Sequence, residues 1–248
     1  VDVEEIIKKA EELYYDNDLE QAYELYLEAA SCGHPKAFER LGDMYFFGMY
    51  VRQDHKKSMA YYDILAQKGN LSAMSEVVDL MAMTEDDSGV CDPEKYMRYL
   101  NALSDSGNGN YKISLGLEYV RGLYVERDIE KAIELFETAV KLGKTFGYSC
   151  IADLYFDGEH VPQDYKKAKQ YYEKDGPEEL APLYRLAIIY DEGLETEKNP
   201  KKALELYKAF RQEYEDRIEL MKDIDVECYE DKYYPIVLKR IKELQLEV

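Results

Sequence analysis

The chain has little cysteine. Cys32, Cys91, Cys150 and Cys228 are its four in 248 residues, and none forms a Cys-x-x-Cys pair. That density argues against a disulfide framework and fits reduced thiols in a cytosolic protein, so a cytoplasmic location is expected. Histidine is scarcer: His34, His55 and His160, none with a second His or Cys at ligand spacing, so no metal is expected. No apolar run approaches the roughly 18 residues of a membrane span, and no membrane partner is expected. Val1 to Lys9 is charged and helical in pattern rather than signal-like, although Val1 is not a start methionine and leaves room for an upstream segment. Basic residues are also short: 32 Lys and Arg against 52 Asp and Glu give a formal charge of −20. Such a surface repels phosphate backbones and anionic lipid, which excludes nucleic acid as a natural partner and favours a basic one. The plainer use of that charge is solubility.

Motifs of chemistry are missing as well. There is no Gly-rich phosphate loop and no nucleophile motif. The acidic run from Thr84 to Gly89 lacks the alternating oxygen ligands and closing Glu of a calcium loop. Carboxylates are everywhere, but no pair is singled out for acid–base work. The expectation is no catalytic residue, no cofactor and no enzyme activity.

What is present is a repeat, and a period fixes architecture. Leu41-Gly42-Asp43-Met44-Tyr45-Phe46-Phe47-Gly48 returns from Leu115 to Gly122, from Ile151 to Gly158 and from Leu186 to Gly193. A weaker copy runs from Val77 to Met81. Downstream, Asp54-x-x-Lys57-Ser58 matches Asp128-x-x-Lys131-Ala132, Asp164-x-x-Lys167-Ala168 and Asn199-x-x-Lys202-Ala203. Gly33, Gly69, Gly107 and Gly143 close most units. The units begin at Ala37, Ala73, Tyr111, Gly147 and Pro182, with steps of 36, 38, 36 and 35 residues.

Within a unit, Leu41, Gly42 and Tyr45 share one helical face. Gly42 admits a close neighbour, Gly48 ends the helix in a left-handed cap, and Asp54 caps the next helix. Ser58, Tyr61 and Tyr62 carry that helix's buried stripe. Each unit is an antiparallel helix pair that must stack to bury its second face. The 25 tyrosines are mostly repeat-core positions such as Tyr45, Tyr62, Tyr119, Tyr155, Tyr172 and Tyr190.

The pattern Leu-Gly-x-x-Tyr-x-x-Gly-x-x-Val-x-x-Asp-x-x-Lys-Ala-x-x-Tyr/Phe resembles the Sel-1-like repeat, a relative of the tetratricopeptide repeat. The resemblance implies an all-α fold, a right-handed α-solenoid of stacked antiparallel helix pairs that scaffolds protein complexes without catalysis. The expected organisation is a tetratricopeptide-like helix pair over 1–36, five Sel-1-like repeats over 37–214, and capping helices over 215–248, with Ile236, Ile241 and Leu244 on a terminal amphipathic helix. The second repeat is degenerate, with Val78 and Thr84 where small residues or glycine belong.

The resemblance also implies that the first helix of each pair lines a concave surface. Opposite the Leu41–Tyr45 stripe lie Glu39, Asp43 and Phe46, and their counterparts are Ser75, Asp79, Ala82; Ile113, Leu117, Val120; Ser149, Asp153, Phe156; and Tyr184, Ile188, Asp191. Several are apolar where water contact calls for polar side chains. The expected partner-binding set is therefore Asp43, Phe46, Asp79, Ile113, Leu117, Val120, Asp153, Phe156, Tyr184, Ile188 and Asp191, taking a basic, partly apolar peptide or helix. Self-association through the same patch is a variant. The alternatives are a small-molecule or enzymatic pocket in the groove, and cover of the patch by the C-terminal segment around Tyr233, Tyr234, Ile236 and Val237.

Overall fold

The computed structural model describes residues 2–84, 92–176, 180–221 and 232–247. The acidic run after Thr84, with Cys91 and Cys228, lies outside them. Among the described residues there are thirteen α-helices and no strand. The chain divides into two compact units, Val1–Tyr111 and Lys112–Val248. The first holds α1 (Val3–Tyr15), α2 (Leu19–Ser31), α3 (Pro35–Phe47), α4 (His55–Ala66), α5 (Leu71–Met83) and α6 (Pro93–Asp105). Helix α7 (Gly109–Arg121) begins at its end and runs into the second. There it is followed by α8 (Ile129–Lys141), α9 (Phe146–Asp157), α10 (Tyr165–Asp175), α11 (Leu180–Glu192), α12 (Pro200–Met221) and α13 (Tyr234–Glu247).

The helices start where a side chain can satisfy an orphan backbone donor. Asp54, Asp92, Asp128 and Asp164 each accept from the N–H three residues on, at 3.0, 3.0, 2.9 and 2.8 Å, and Asn199 does the same at 3.0 Å. They stop where the chain must turn left-handed. Gly48, Gly122, Gly158 and Gly193 have φ of 71°, 67°, 67° and 73°, conformations that a Cβ penalises. The turn is then locked twice. The N–H groups of Asp54, Asp128, Asp164 and Asn199 donate to the carbonyls of Tyr45, Tyr119, Tyr155 and Tyr190. The side chains of Gln53, Arg127 and Gln163 donate to the otherwise open carbonyls of Phe46, Val120 and Phe156.

Within a pair, the glycine of the Leu-Gly step faces a ring. A Cβ on Gly42 would stand 2.8 Å from the Tyr62 ring, and one on Gly116 would stand 2.5 Å from Phe136. Fully buried Ser58 donates to the Gly42 carbonyl at 2.9 Å. In the first unit, Ile6, Ala10, Tyr26, Leu41 and Met44 form one core. In the second, one cluster centres on Phe136 and Ile151, and another on Tyr172, Leu183, Tyr207 and Phe210.

Helix α13 completes that last cluster. Val237, Ile241 and Leu244, at i, i+4 and i+7, are buried in it. Ile236 is 53% exposed, so the apolar stripe starts one residue later than its sequence suggests.

Candidate interaction surface

Three of the five repeats carry a polar rung between an aspartate of the first helix and a tyrosine of the second. Asp43 accepts from the Tyr62 hydroxyl at 2.6 Å, and Asp153 accepts from the Tyr172 hydroxyl at 2.5 Å. In the last repeat Ile188 holds the aspartate position, and Tyr207 reaches Asp191, one turn on, at 3.3 Å. Burial comes first among the causes that hold all three phenols above the usual tyrosine range, and each neighbouring carboxylate adds to it.

Two repeats break the rung. In the second, Leu100 stands eight residues after cap Asp92, where Tyr62 follows Asp54, so Asp79 has no phenol to bond. Its carboxyl is pushed up by loss of hydration, and that of Glu76 by loss of hydration together with Asp79 and Asp43. In the third, both partners are apolar: Leu117 on α7 and Phe136 on α8.

Beside Leu117 the second unit opens a pocket of about 200 Å3. Its lining joins apolar Leu117, Val120, Phe136, Phe146, Cys150 and Leu154 with polar Asp153, Asp157, Glu159 and His160. Arg185 of α11 reaches Asp153 and Asp157, both at 3.1 Å, and lies 5.0 Å from the centre of the Phe156 ring. Burial nevertheless holds the Asp153 carboxyl above its usual range, and Arg185 and the Tyr172 hydroxyl act against that. Glu159 is 77% exposed, and the His160 ring nitrogen lies 4.0 Å from its carboxylate. Burial pushes the Cys150 thiol up to about 12, so it is protonated at neutral pH and unsuited to nucleophilic attack.

The expected residues separate accordingly. Leu117 is 41% exposed, Val120 is half-buried, and both meet Asp153 at the pocket. Ile113 does not: it is 7% exposed and packed with Phe136 and Ile151, so its assignment to a wet face is corrected. One turn from Leu117, it points into the seam with the next repeat. Asp191 is corrected too. It is 8% exposed and gripped by Arg240 of α13 through two contacts of 2.6 Å. Tyr184 stacks on Tyr233 at 4.4 Å between ring centres. Around α11, then, the C-terminal segment covers the patch, while Ile188 remains half-buried. Phe156 packs edge-on to Tyr165 and Tyr172.

In the first unit, Phe46 lies against Phe47 and His55. Asp43 lines a polar pocket of about 150 Å3 with Glu39, Tyr62 and Glu76. Among the described residues no group of three or more His, Cys, Asp or Glu could hold a metal ion. None of the described helices is long and apolar enough to cross a membrane.

Sequence reasoning missed Phe136, Phe146, Cys150, Glu159, His160 and Arg185. Only Phe136 carried a signal, a phenylalanine where tyrosines stand in three other repeats.

Helix pairs with these rungs and turns define a class of repeat scaffold. The Sel1 repeat family model matches residues 11–34, 36–70, 111–144, 148–174 and 183–210. The chain belongs to the Sel1 repeat family, whose members are typically non-enzymatic scaffolds for protein–protein interaction. The match takes in the N-terminal pair and passes over the degenerate second repeat.

Protein sel-1 homolog 2 of Homo sapiens is 29% identical over 146 residues, 58% of this chain and 19% of that protein. An uncharacterised protein of Neisseria meningitidis is 26% identical over 155 residues, 62% of this chain and 32% of its own length. The chain thus spans a third or less of these relatives. Among solved structures, the protective antigen c5321 of uropathogenic Escherichia coli, which has an SLR fold, superposes with a TM-score of 0.61 at 26% identity, covering 90% of this chain and 49% of that one. A Sel1 repeat protein from Oxalobacter formigenes gives 0.60 at 18% identity, covering 97% and 98%.

Proposed function

We propose that this chain is a non-catalytic binding module whose second unit takes a basic, partly apolar peptide or helix. The observation that carries the reading is the pocket at Leu117, whose mostly apolar lining includes the carboxylates of Asp153, Asp157 and Glu159. Exposed apolar surface forgoes about 25 cal/mol per Å2 that a partner's side chain recovers. The carboxylates supply the opposite requirement, a positive charge beside that side chain, and the formal charge of −20 speeds its approach. At about 200 Å3 the pocket falls below the roughly 300–1,000 Å3 that encloses a drug-sized ligand, which favours a partner's side chain over a small molecule.

The test is selection of random 12-residue displayed peptides on the purified chain. Enrichment of peptides with net positive charge and at least one large apolar residue is expected, with binding weaker at 1 M salt than at 0.1 M. No enrichment, or enrichment of acidic peptides, would overturn the reading.

A further inference from the structure

The pocket at Leu117 exists because the third repeat lacks both halves of a pair that the first and fourth repeats keep. Tyr62 and Tyr172 project from the second helix of their pairs to an aspartate of the first, at 2.6 and 2.5 Å. Phe136 occupies the same repeat position and is fully buried, with its ring against Gly116 as the Tyr62 ring is against Gly42. The backbone frame is thus shared. What differs is that the phenol oxygen and the carboxylate are both gone, and Leu117 is 41% exposed beside the space they leave.

Losing one partner alone would leave a polar group without its bond. Losing both together removes polarity from a single site with little penalty to the fold. A core-packing substitution would have hidden Leu117. It instead lines an opening with Val120 and Phe146.

Resting on the binding reading above, we propose that this paired loss makes the third repeat the specificity pocket of the chain. It receives one large apolar side chain of a partner peptide whose adjacent lysine or arginine meets Glu159. Glu159 is assigned the cation because Asp153 and Asp157 already share Arg185, whereas Glu159 is mostly exposed, with the His160 ring nitrogen 4.0 Å away. The second unit itself shows the same pairing of a guanidinium with carboxylates beside an aromatic ring, in Arg185 over Phe156 between Asp153 and Asp157.

The decisive variant restores the rung of the first and fourth repeats, L117D/F136Y. It keeps the backbone frame and supplies a pair already tolerated twice in this chain, so it should unfold at a temperature close to that of the unaltered protein. The probe is the most enriched basic peptide from the display selection, synthesised with its anchor residue as selected and as Ala. Titration calorimetry should show at least a tenfold loss of affinity for L117D/F136Y, and a similar loss when the anchor is Ala on the unaltered protein. The two losses should not add. E159Q should weaken the peptide several-fold at low salt and little at 1 M salt.

If the peptide binds L117D/F136Y as tightly as the unaltered chain, the pocket is not the specificity site, while the binding function stands. A selection that yields no basic peptide overturns both. Should L117D/F136Y fail to fold, L117E alone, at a position exposed to solvent, provides the same comparison, and undiminished affinity there overturns the proposal.

Discussion

At the scale of single residues, the repeat is a set of side chains that answer specific backbone and ring partners. A Cβ on Gly158 would fall 2.6 Å from the Gln163 Cβ, at a φ of 67°. Gly158→Val is therefore expected to cost about 1–2 kcal/mol, read by urea unfolding of the variant against the parent. The Leu117–Phe136 pair makes a sharper prediction. Phe136→Tyr alone brings a hydroxyl with no carboxylate to meet and should lose about 1 kcal/mol. Leu117→Asp alone leaves a carboxylate without its phenol. The double variant should be more stable than the two single effects predict by about 1 kcal/mol, the signature of coupled neighbours. Additive effects in that cycle would show that the rung does not form at this position. Gly48, Gly122, Gly158 and Gly193 were legible in the sequence as caps, because a steric demand at one φ depends on nothing distant. Asp191 was not legible, because the arginine that claims it lies 49 residues away.

At the scale of helices, the caps and the interhelical ion pairs decide which ends hold. Asp54→Ala should cost about 1 kcal/mol, since it frees the Lys57 N–H that Asp54 now bonds. Helix α1 is tied to α3 by Arg40, which contacts Glu11 at 2.8 and 2.9 Å, and the Tyr26 hydroxyl adds a third bond to the same carboxylate. Arg40 holds the Glu11 carboxyl below the usual glutamate range, against the effect of burial. The sign follows from linkage. A carboxyl whose folded pKa is depressed adds stability that is fully present above its unfolded value, about 4.3, and is lost as pH falls through the folded value. Unfolding measured from pH 3 to 7 should show Glu11→Gln less stable than the parent at pH 7, with the difference shrinking on the acid side. A constant difference across that range would place Glu11 outside the acid response.

Helix α13 is held by Arg240 on Asp191 and by three buried aliphatic residues. Removing the guanidinium leaves a nearly buried carboxylate with only the Tyr207 hydroxyl. Arg240→Ala should cost about 2–4 kcal/mol and release the α13 amides to hydrogen exchange before those of α9.

At the scale of the molecule, charge and repetition act together. The excess of 20 carboxylates keeps the surface anionic, while cations are placed over rings inside each unit: Lys57 on Tyr45, Lys131 on Tyr119 and Lys167 on Tyr155, at 4.9, 4.3 and 4.7 Å. A partner's cations therefore meet carboxylates outnumbering the lysines and arginines left to compete. The expected consequence for the whole chain is association that slows as salt is raised, measurable by stopped-flow with the selected peptide. Circular dichroism should report helix and no substantial strand content.

By itself, the sequence determined the helix pairs and their family. Those follow from local rules, periodicity, caps and turns, that repeat five times and so announce themselves. It also placed Leu117, Val120 and Asp153 on a surface that gathers apolar and acidic character. Only the tertiary structure decided which of those side chains stay available. Ile113 differs from Leu117 by one helical turn, and the packing of the next pair buries one and spares the other. Asp191 and Tyr184 read as open until Arg240 of α13 and Tyr233 just before it fold onto them. The physical reason is that helical periodicity assigns a face, whereas burial of that face depends on elements brought there by the chain's distant parts.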